Sequence, residues 1–212
     1  MNKQRGISLI VVLIGLVIIS FAAVALFRST DTGTLVAGNL TFKKTALAAG
    51  DAGTEAAITW VGANAAGTTL HTNVTASGYY ATSADACDLT GSRTPDDPSD
   101  DVDWIDAGNG ANCNMTGLAV TPAGVEAKYS VRYVINRMCN AAGNPNSVLA
   151  ADGITPMSCS RGEGADSDSS TAVGPSYSRR PFTGTARTYY RITTRITGPR
   201  NTARYVQAFV AQ

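Results

Sequence analysis

Several absences narrow what this 212-residue chain can do. It has one histidine, His71, and no cysteine or acidic residue stands beside it, so neither a catalytic base nor a metal site is expected there. No phosphate-binding glycine loop, Gly-x-Ser-x-Gly turn or His-Glu-x-x-His pattern occurs. Lysine and arginine (17) barely outnumber aspartate and glutamate (16), which argues against a basic nucleic-acid-binding protein. We therefore predict no enzymatic activity, no cofactor and no nucleic-acid partner.

A charge-free apolar run covers residues 7–27, ISLIVVLIGLVIISFAAVALF. As a helix it would be about 31 Å long, the thickness of a bilayer's hydrocarbon core. A buried core helix is rarely apolar on every side over such a length. A secretory signal peptide cut after Ala25 is the other alternative, but signal-peptide apolar regions usually have only about 7 to 15 residues. The run predicts one membrane-spanning helix, and Lys3 and Arg5 before it predict a cytoplasmic N-terminus.

The short basic leader Lys3-Gln4-Arg5-Gly6 is followed directly by this apolar run. This arrangement resembles the class III leader of type IV pilins and type II secretion pseudopilins. The resemblance implies cleavage after Gly6 by prepilin peptidase and N-methylation of the new terminus, Ile7. It also implies a single-pass precursor in the inner membrane, with its head in the periplasm, that later enters a filament.

The sequence departs from that family at Val11, the fifth residue after the cleavage site, where most pilins and pseudopilins carry glutamate. In the family this glutamate neutralises the methylated amine of a neighbouring subunit inside an apolar filament core, where an unpaired charge is costly. A subunit at the tip has no neighbour above it that needs the glutamate. The departure is similar to PilX-like minor pilins and K-type pseudopilins, which are both assigned to the tip complex.

Beyond residue 27 the chain contains no proline up to about residue 62, which predicts that the helix continues. Apolar residues at spacings of mostly three, four or seven predict one buried stripe: Leu35, Val36, Leu40, Ala46, Leu47, Ala49, Ala57, Trp60 and Val61. Glycines in this stretch each weaken a helix by about 1 kcal/mol relative to alanine, which leaves room for local fraying. We predict a leader at residues 1–6, a helix over residues 7–62 and a globular head over residues 63–212.

Alternation of apolar and polar residues predicts three strands in the head, at residues 128–139, 188–197 and 202–210. A turn at residues 198–201, Gly-Pro-Arg-Asn, joins the last two into an antiparallel hairpin. The predicted fold class is α+β: a long N-terminal transmembrane helix packed on a small antiparallel sheet, with long polar loops at residues 90–110 and 140–181. This architecture and the C-terminal strands resemble PilX-like pilins.

The four cysteines, Cys87, Cys113, Cys139 and Cys159, are too widely spaced for a zinc site. After a membrane span they predict two disulfides, and four buried free thiols are the alternative. Three connectivities are possible. We favour Cys87 with Cys113 and Cys139 with Cys159, because each pair closes a short polar loop.

Charge is segregated along the chain beyond residue 50. Residues 51–170 carry 15 acidic and five basic side chains, whereas residues 171–212 carry seven arginines and no acid. We expect part of this charge to be neutralised within the head and the exposed remainder to steer docking. Asp101, Asp103 and Asp106 are calcium candidates, although the EF-hand spacing is not met and a solvated acidic loop is the preferred interpretation.

These resemblances predict a PilX-like minor pilin that helps to initiate type IV pilus assembly and sits at or near the tip. Its partners would be other minor pilins, the major pilin and a PilY-type tip adhesin, in a pilus that serves twitching motility, adhesion or DNA uptake. One alternative is a K-type pseudopilin of a type II secretion system. An alternative of another class is a secreted soluble binding protein with a cleaved signal peptide.

Overall fold

The computed structural model describes residues 7–106, 108, 112–163, 186–199 and 202–212. It contains one long helix, two single-turn 3-10 helices (Thr69–His71 and Thr75–Ser77) and a set of strands. The strands are β1 (Tyr79–Tyr80), β2 (Leu118–Val120), β3 (Ser130–Arg137), β4 (Arg161–Glu163), β5 (Ala186–Gly198) and β6 (Thr202–Ala211). The chain divides into two units, Met1–Thr45 and Ala46–Gln212.

Helix α1 (Ile7–Asn64) is unbroken, although it contains several glycines. The hydroxyls of Ser20 and Thr41 donate to the carbonyl four residues earlier, so these polar side chains are satisfied within the helix. At the C-terminal end, the Asn64 side chain folds back on the last turn, and its Nδ2 donates to the Trp60 carbonyl over 2.8 Å. The helix ends two residues beyond its predicted end.

The first unit exposes a long apolar surface. Its large apolar side chains between residues 9 and 27 are all at least half exposed: Leu9, Ile10, Val11, Val12, Leu13, Ile14, Leu16, Val17, Ile18, Ile19, Phe21, Val24, Leu26 and Phe27. The helix is long and apolar enough to cross a membrane. Exposure of so much apolar surface to water is unfavourable, so this segment needs apolar surroundings.

The second unit contains a six-stranded sheet organised around β5, which pairs with β3, β4 and β6. The β3–β5 register places Val131 opposite Ile196 and Ile135 opposite Ile192. The β5–β6 register is constant over ten residue pairs, from Tyr189–Ala211 to Gly198–Thr202. The predicted antiparallel hairpin of β5 and β6 is therefore confirmed, and β3 pairs antiparallel with the other edge of β5.

One pairing contradicts the predicted antiparallel sheet. β1 runs parallel to β3, with Tyr79 opposite Ile135 and Tyr80 opposite Asn136, so the sheet is mixed. About fifty residues separate these two strands, and so long a connection permits parallel pairing that a tight turn would exclude. β1, β2 and β4 were not predicted, because two or three residues are too few to show a periodicity.

Residues 46–64 of α1 pack on the inner face of the sheet, which carries Val131, Ile135, Ile192 and Ile196. Glycines permit the close approach: a Cβ at Gly53 would lie 2.4 Å from Val131 Cγ1. A Cβ at Gly50 would lie 2.8 Å from Ile196 Cδ1. The buried core beside them includes Ala57, Val61, Leu70, Tyr79, Tyr133, Ile135, Tyr190 and Ile192.

The predicted helical stripe is only partly buried. Ala46, Ala49, Ala57 and Val61 are buried, whereas Leu35, Val36, Leu40 and Leu47 are more than half exposed. Helix and sheet approach closely only where side chains are small. In the second unit the contact face of the helix is therefore marked by alanine and glycine rather than by leucine.

Candidate functional site

The processing site proposed from the sequence lies at the start of α1. Gly6 is outside the described residues, and Ile7 is the first residue of the helix. Val11 has 61% of its surface exposed on the apolar part of the helix. The position at which most pilins and pseudopilins carry a glutamate is therefore on a surface that is available to a lipid or a neighbouring helix.

Both favoured disulfides are formed, so the predicted connectivity is confirmed. Cys87 is bonded to Cys113 and Cys139 to Cys159, and no cysteine is free. The first disulfide spans the acidic loop, which we define as residues 88–106. The second closes a loop that leaves the C-terminal end of β3. Each loop is thus tied at its base to the sheet region.

The acidic loop packs on the outer face of the sheet, which carries Arg132, Val134 and Arg195. Trp104 of the loop is buried and makes an edge-to-face contact with Tyr205 of β6, with ring centroids 5.9 Å apart. A Cβ at Gly117 would lie 2.5 Å from the Trp104 ring, so glycine provides the space for the indole. Trp104, Val102, Leu89, Met115 and Val134 form a second buried cluster.

Asp88 organises the start of the acidic loop. Its buried carboxylate accepts hydrogen bonds from the backbone N–H groups of Thr90 (3.0 Å), Gly91 (3.0 Å) and Thr94 (3.1 Å). Burial by itself opposes ionisation, but the bonds donated by Thr90, Thr94 and Arg93 outweigh it and hold the pKa of Asp88 below its ordinary value. The charge of Asp88 is therefore part of the structure of the loop.

The three calcium candidates engage different partners. Asp103 accepts from the backbone N–H of Gly108 over 2.8 Å, and Asp106 binds the Arg132 guanidinium through both oxygens, at 3.0 and 2.5 Å. The Asp101 Oδ1 atom is buried without a hydrogen-bond partner, and its pKa is raised by burial and by the charges of neighbouring aspartates, Asp88 first among them. Within the described ranges, no three His, Cys, Asp or Glu side chains are grouped to hold a metal ion.

The C-terminal arginines are not used in ion pairs where the structure describes them. Arg191 donates to the Ser83 carbonyl, and Arg195 lies beside the Tyr205 hydroxyl. The ion pairs among the described residues are Arg93–Asp100, Lys128–Glu126 and Arg132–Asp106. Direct pairing between the acidic middle and the basic C-terminus is thus absent from the described part, and Arg179, Arg180 and Arg200 lie outside it.

Arg137 is a structural residue that the sequence analysis missed. It is fully buried and donates to four backbone carbonyls: Leu70 (2.8 Å), Ala81 (3.2 Å), Ala141 (3.1 Å) and Gly143 (2.8 Å). Burial lowers its pKa. The alternation of β3 could have found it, because Arg137 continues the inward positions Val131, Tyr133 and Ile135. It ties the chain after α1 and the second disulfide loop to the sheet.

Comparison with protein-family models, with curated proteins and with solved structures finds no match. The structure has a long N-terminal apolar helix, a small mixed sheet and two disulfides. This arrangement is compatible with a pilin-like fold. The structure thus combines an apolar helix whose exposed surface needs burial with a disulfide-linked head that carries a charged loop.

Proposed function

We propose that the protein is a PilX-like minor pilin that helps to initiate assembly of a bacterial type IV pilus and stays at or near its tip. Residues 7–27 hold the precursor in the inner membrane, with the head in the periplasm. Prepilin peptidase then cleaves after Gly6, and Ile7 is N-methylated. The partners are other minor pilins, the major pilin and a PilY-type tip adhesin.

The observation that carries this proposal is helix α1. It begins directly after the basic leader, exposes only apolar and small side chains over residues 9–27, and ends packed on the sheet. Burial of each large apolar side chain is favourable by about 1.5 to 3 kcal/mol. A bilayer and a bundle of pilin helices both provide that burial, so the subunit can move from the membrane into the filament.

The head supports the periplasmic part of the proposal. Its two disulfides require an oxidising compartment, which the periplasm is and the bacterial cytoplasm is not. Val11 supports the tip position, because a subunit with valine there leaves the methylated amine of a neighbour unpaired in the filament core. At the tip no such neighbour is present.

The decisive experiment is mass spectrometry of the N-terminus of the protein isolated from membranes. We expect a mature chain that begins with methylated Ile7, and a Gly6→Leu variant that keeps its leader. A chain that begins at Leu26 would show cleavage by signal peptidase and would overturn the proposal in favour of a secreted soluble protein. Unprocessed wild-type protein would equally contradict it.

A second experiment tests the place of the subunit in the fibre. Deletion of the gene should sharply reduce surface piliation and twitching, and immunogold labelling of the wild type should mark fibre ends. Val11→Glu should spread the label along the shaft, whereas the matched control Val11→Ala should keep it at the ends. Normal piliation with loss of protein secretion would instead support a K-type pseudopilin.

A further inference from the structure

Strand β6 has one backbone edge that no other described strand pairs with. Thr188 and Gln212 exchange two backbone hydrogen bonds, at 3.0 and 3.1 Å. Bonded and non-bonded pairs alternate along an antiparallel ladder, and the register is constant, so every second residue of β6 directs its N–H and C=O groups toward β5. The intervening residues direct theirs away from β5: Ala203, Tyr205, Gln207, Phe209 and Ala211. Across the described ranges, β6 pairs with β5 alone.

This edge has little of the usual protection against pairing. Natural edge strands are short, bulged, or marked by proline, lysine or inward charges. β6 is ten residues long and contains no proline, lysine or acidic residue, and its one charged residue is Arg204, on the inner face opposite Ile196. Its constant register with β5 leaves no bulge. Phe209, one of the residues with outward backbone groups, has 60% of its surface exposed. Such a strand is suited to receive another strand.

We propose that β6 is a docking edge at which an extended segment of a partner polypeptide adds to the sheet as an antiparallel strand. Main-chain hydrogen bonds to Ala203, Tyr205, Gln207, Phe209 and Ala211 hold the segment, as in other cases of strand addition. The Arg204 guanidinium already contacts the Ala203 carbonyl at 3.5 Å, and this weak contact yields to the incoming strand. The inference does not depend on the proposed function.

The side chains of β6 define the chemistry of the partner. Val206 and Val210 point to the inner face and Tyr205 and Phe209 to the outer face, so the segment needs β-branched or aromatic residues on both sides. Arg204 is the single charged residue of β6, is exposed, and forms no ion pair with any described residue. The segment therefore carries an aspartate or glutamate opposite Arg204. A second copy of β6 lacks such a carboxylate and fits less well.

The test uses the full chain in detergent and a fluorescent, end-blocked peptide of sequence TVTVTVTETV. Paired antiparallel with β6, its valines face Val206, Ala208 and Val210, and its glutamate faces Arg204. Gln207→Pro removes one outward N–H without removing a bond to β5. Gln207→Ala is the matched control, because it loses the same side-chain bond to Thr193 but keeps the N–H.

We expect saturable binding by fluorescence anisotropy, about tenfold weaker for Gln207→Pro and within about twofold of wild type for Gln207→Ala. Arg204→Glu should weaken binding of this peptide and favour a peptide with lysine in place of glutamate, which keeps the test informative if Gln207→Pro does not fold. No saturable binding, or equal binding by Gln207→Pro, would overturn the proposal. A wild-type dimer that Gln207→Pro dissociates would overturn the assigned occupant, because β6 would then bind a second copy.

Discussion

Gly53→Ala should destabilise the head, although alanine is the better helix former. In an open helix this change stabilises by about 1 kcal/mol. At position 53 the new Cβ would lie 2.4 Å from Val131 Cγ1 and 3.0 Å from Thr194 Cγ2. Val131 is only 2% exposed and its branched side chain has little rotamer freedom, so helix or sheet must shift. Overpacking costs about 1 to 3 kcal/mol, and so short an approach places this cost in the upper part of that range, about 2 to 3 kcal/mol. After the helix gain of about 1 kcal/mol, the net loss is roughly 1 to 2 kcal/mol.

Thermal unfolding of the full chain in detergent, followed by near-ultraviolet circular dichroism, measures this loss. A domain of this size loses roughly 2 to 4 °C in Tm for each kcal/mol, so we expect a Tm about 2 to 8 °C lower. Gly62→Ala is the control in the same helix, because its nearest neighbour, Gln212 Nε2, would lie 3.9 Å from the new Cβ. Its Tm should stay unchanged or rise slightly.

A double-mutant cycle with Val131→Ala separates the steric clash from other effects. Val131→Ala removes the Cγ1 atom that meets the new Cβ, so the double variant should be more stable than the sum of the two single changes predicts, by about 1 kcal/mol or more. Additive effects, or a Gly53→Ala protein as stable as the wild type, would refute the close-packed helix and sheet.

Three further predictions concern polar groups and disulfides. Arg137→Met removes hydrogen bonds to four backbone carbonyls, of which the Leu70 carbonyl keeps the Tyr79 hydroxyl as a donor, and should cost more than about 3 kcal/mol in denaturant unfolding, with Arg137→Lys intermediate. A loss below about 1 kcal/mol would contradict the buried role. Because the pKa of Asp88 is lower in the folded protein than in the unfolded chain, its ionised form stabilises the fold above the unfolded pKa of about 4, and this stabilisation is lost as pH falls through the folded pKa. The pKa of Asp101 is raised in the folded protein, so its ionisation destabilises the fold at neutral pH. Asp88→Asn should therefore lower, and Asp101→Asn raise, the free energy of unfolding at pH 7, and both differences should vanish at low pH; shifts of the same sign would contradict this account. Replacement of Cys139 and Cys159 by alanine should cost about 3 kcal/mol, as should the Cys87 and Cys113 pair, and an unchanged Tm after reduction would exclude both contributions.

The parts of the fold that the sequence predicted are those with local signals. A proline-free apolar run predicts α1, and alternation over about ten residues predicts β3, β5 and β6. The disulfide pairs followed from loop length and polarity. The candidate site was predicted less well. The acidic loop was recognised by composition, but the different partners of Asp101, Asp103 and Asp106 depend on backbone groups and on Arg132, far away in the chain.

The sequence by itself determined the apolar helix, the positions of the three long strands along the chain and the separation of charge. Each of these depends only on residues that are close together in the sequence. Only the tertiary structure decided that β1 runs parallel to β3, that Gly50 and Gly53 lie against the sheet, and that β6 has β5 as its one partner among the described strands. Those features join residues that are far apart in sequence, such as Thr54 and Thr194, which are 140 positions apart and hydrogen-bonded at 3.0 Å. Close packing of the side chains decides which distant residues come into contact. The periodicity of apolar residues within one segment does not say which other segment it packs against.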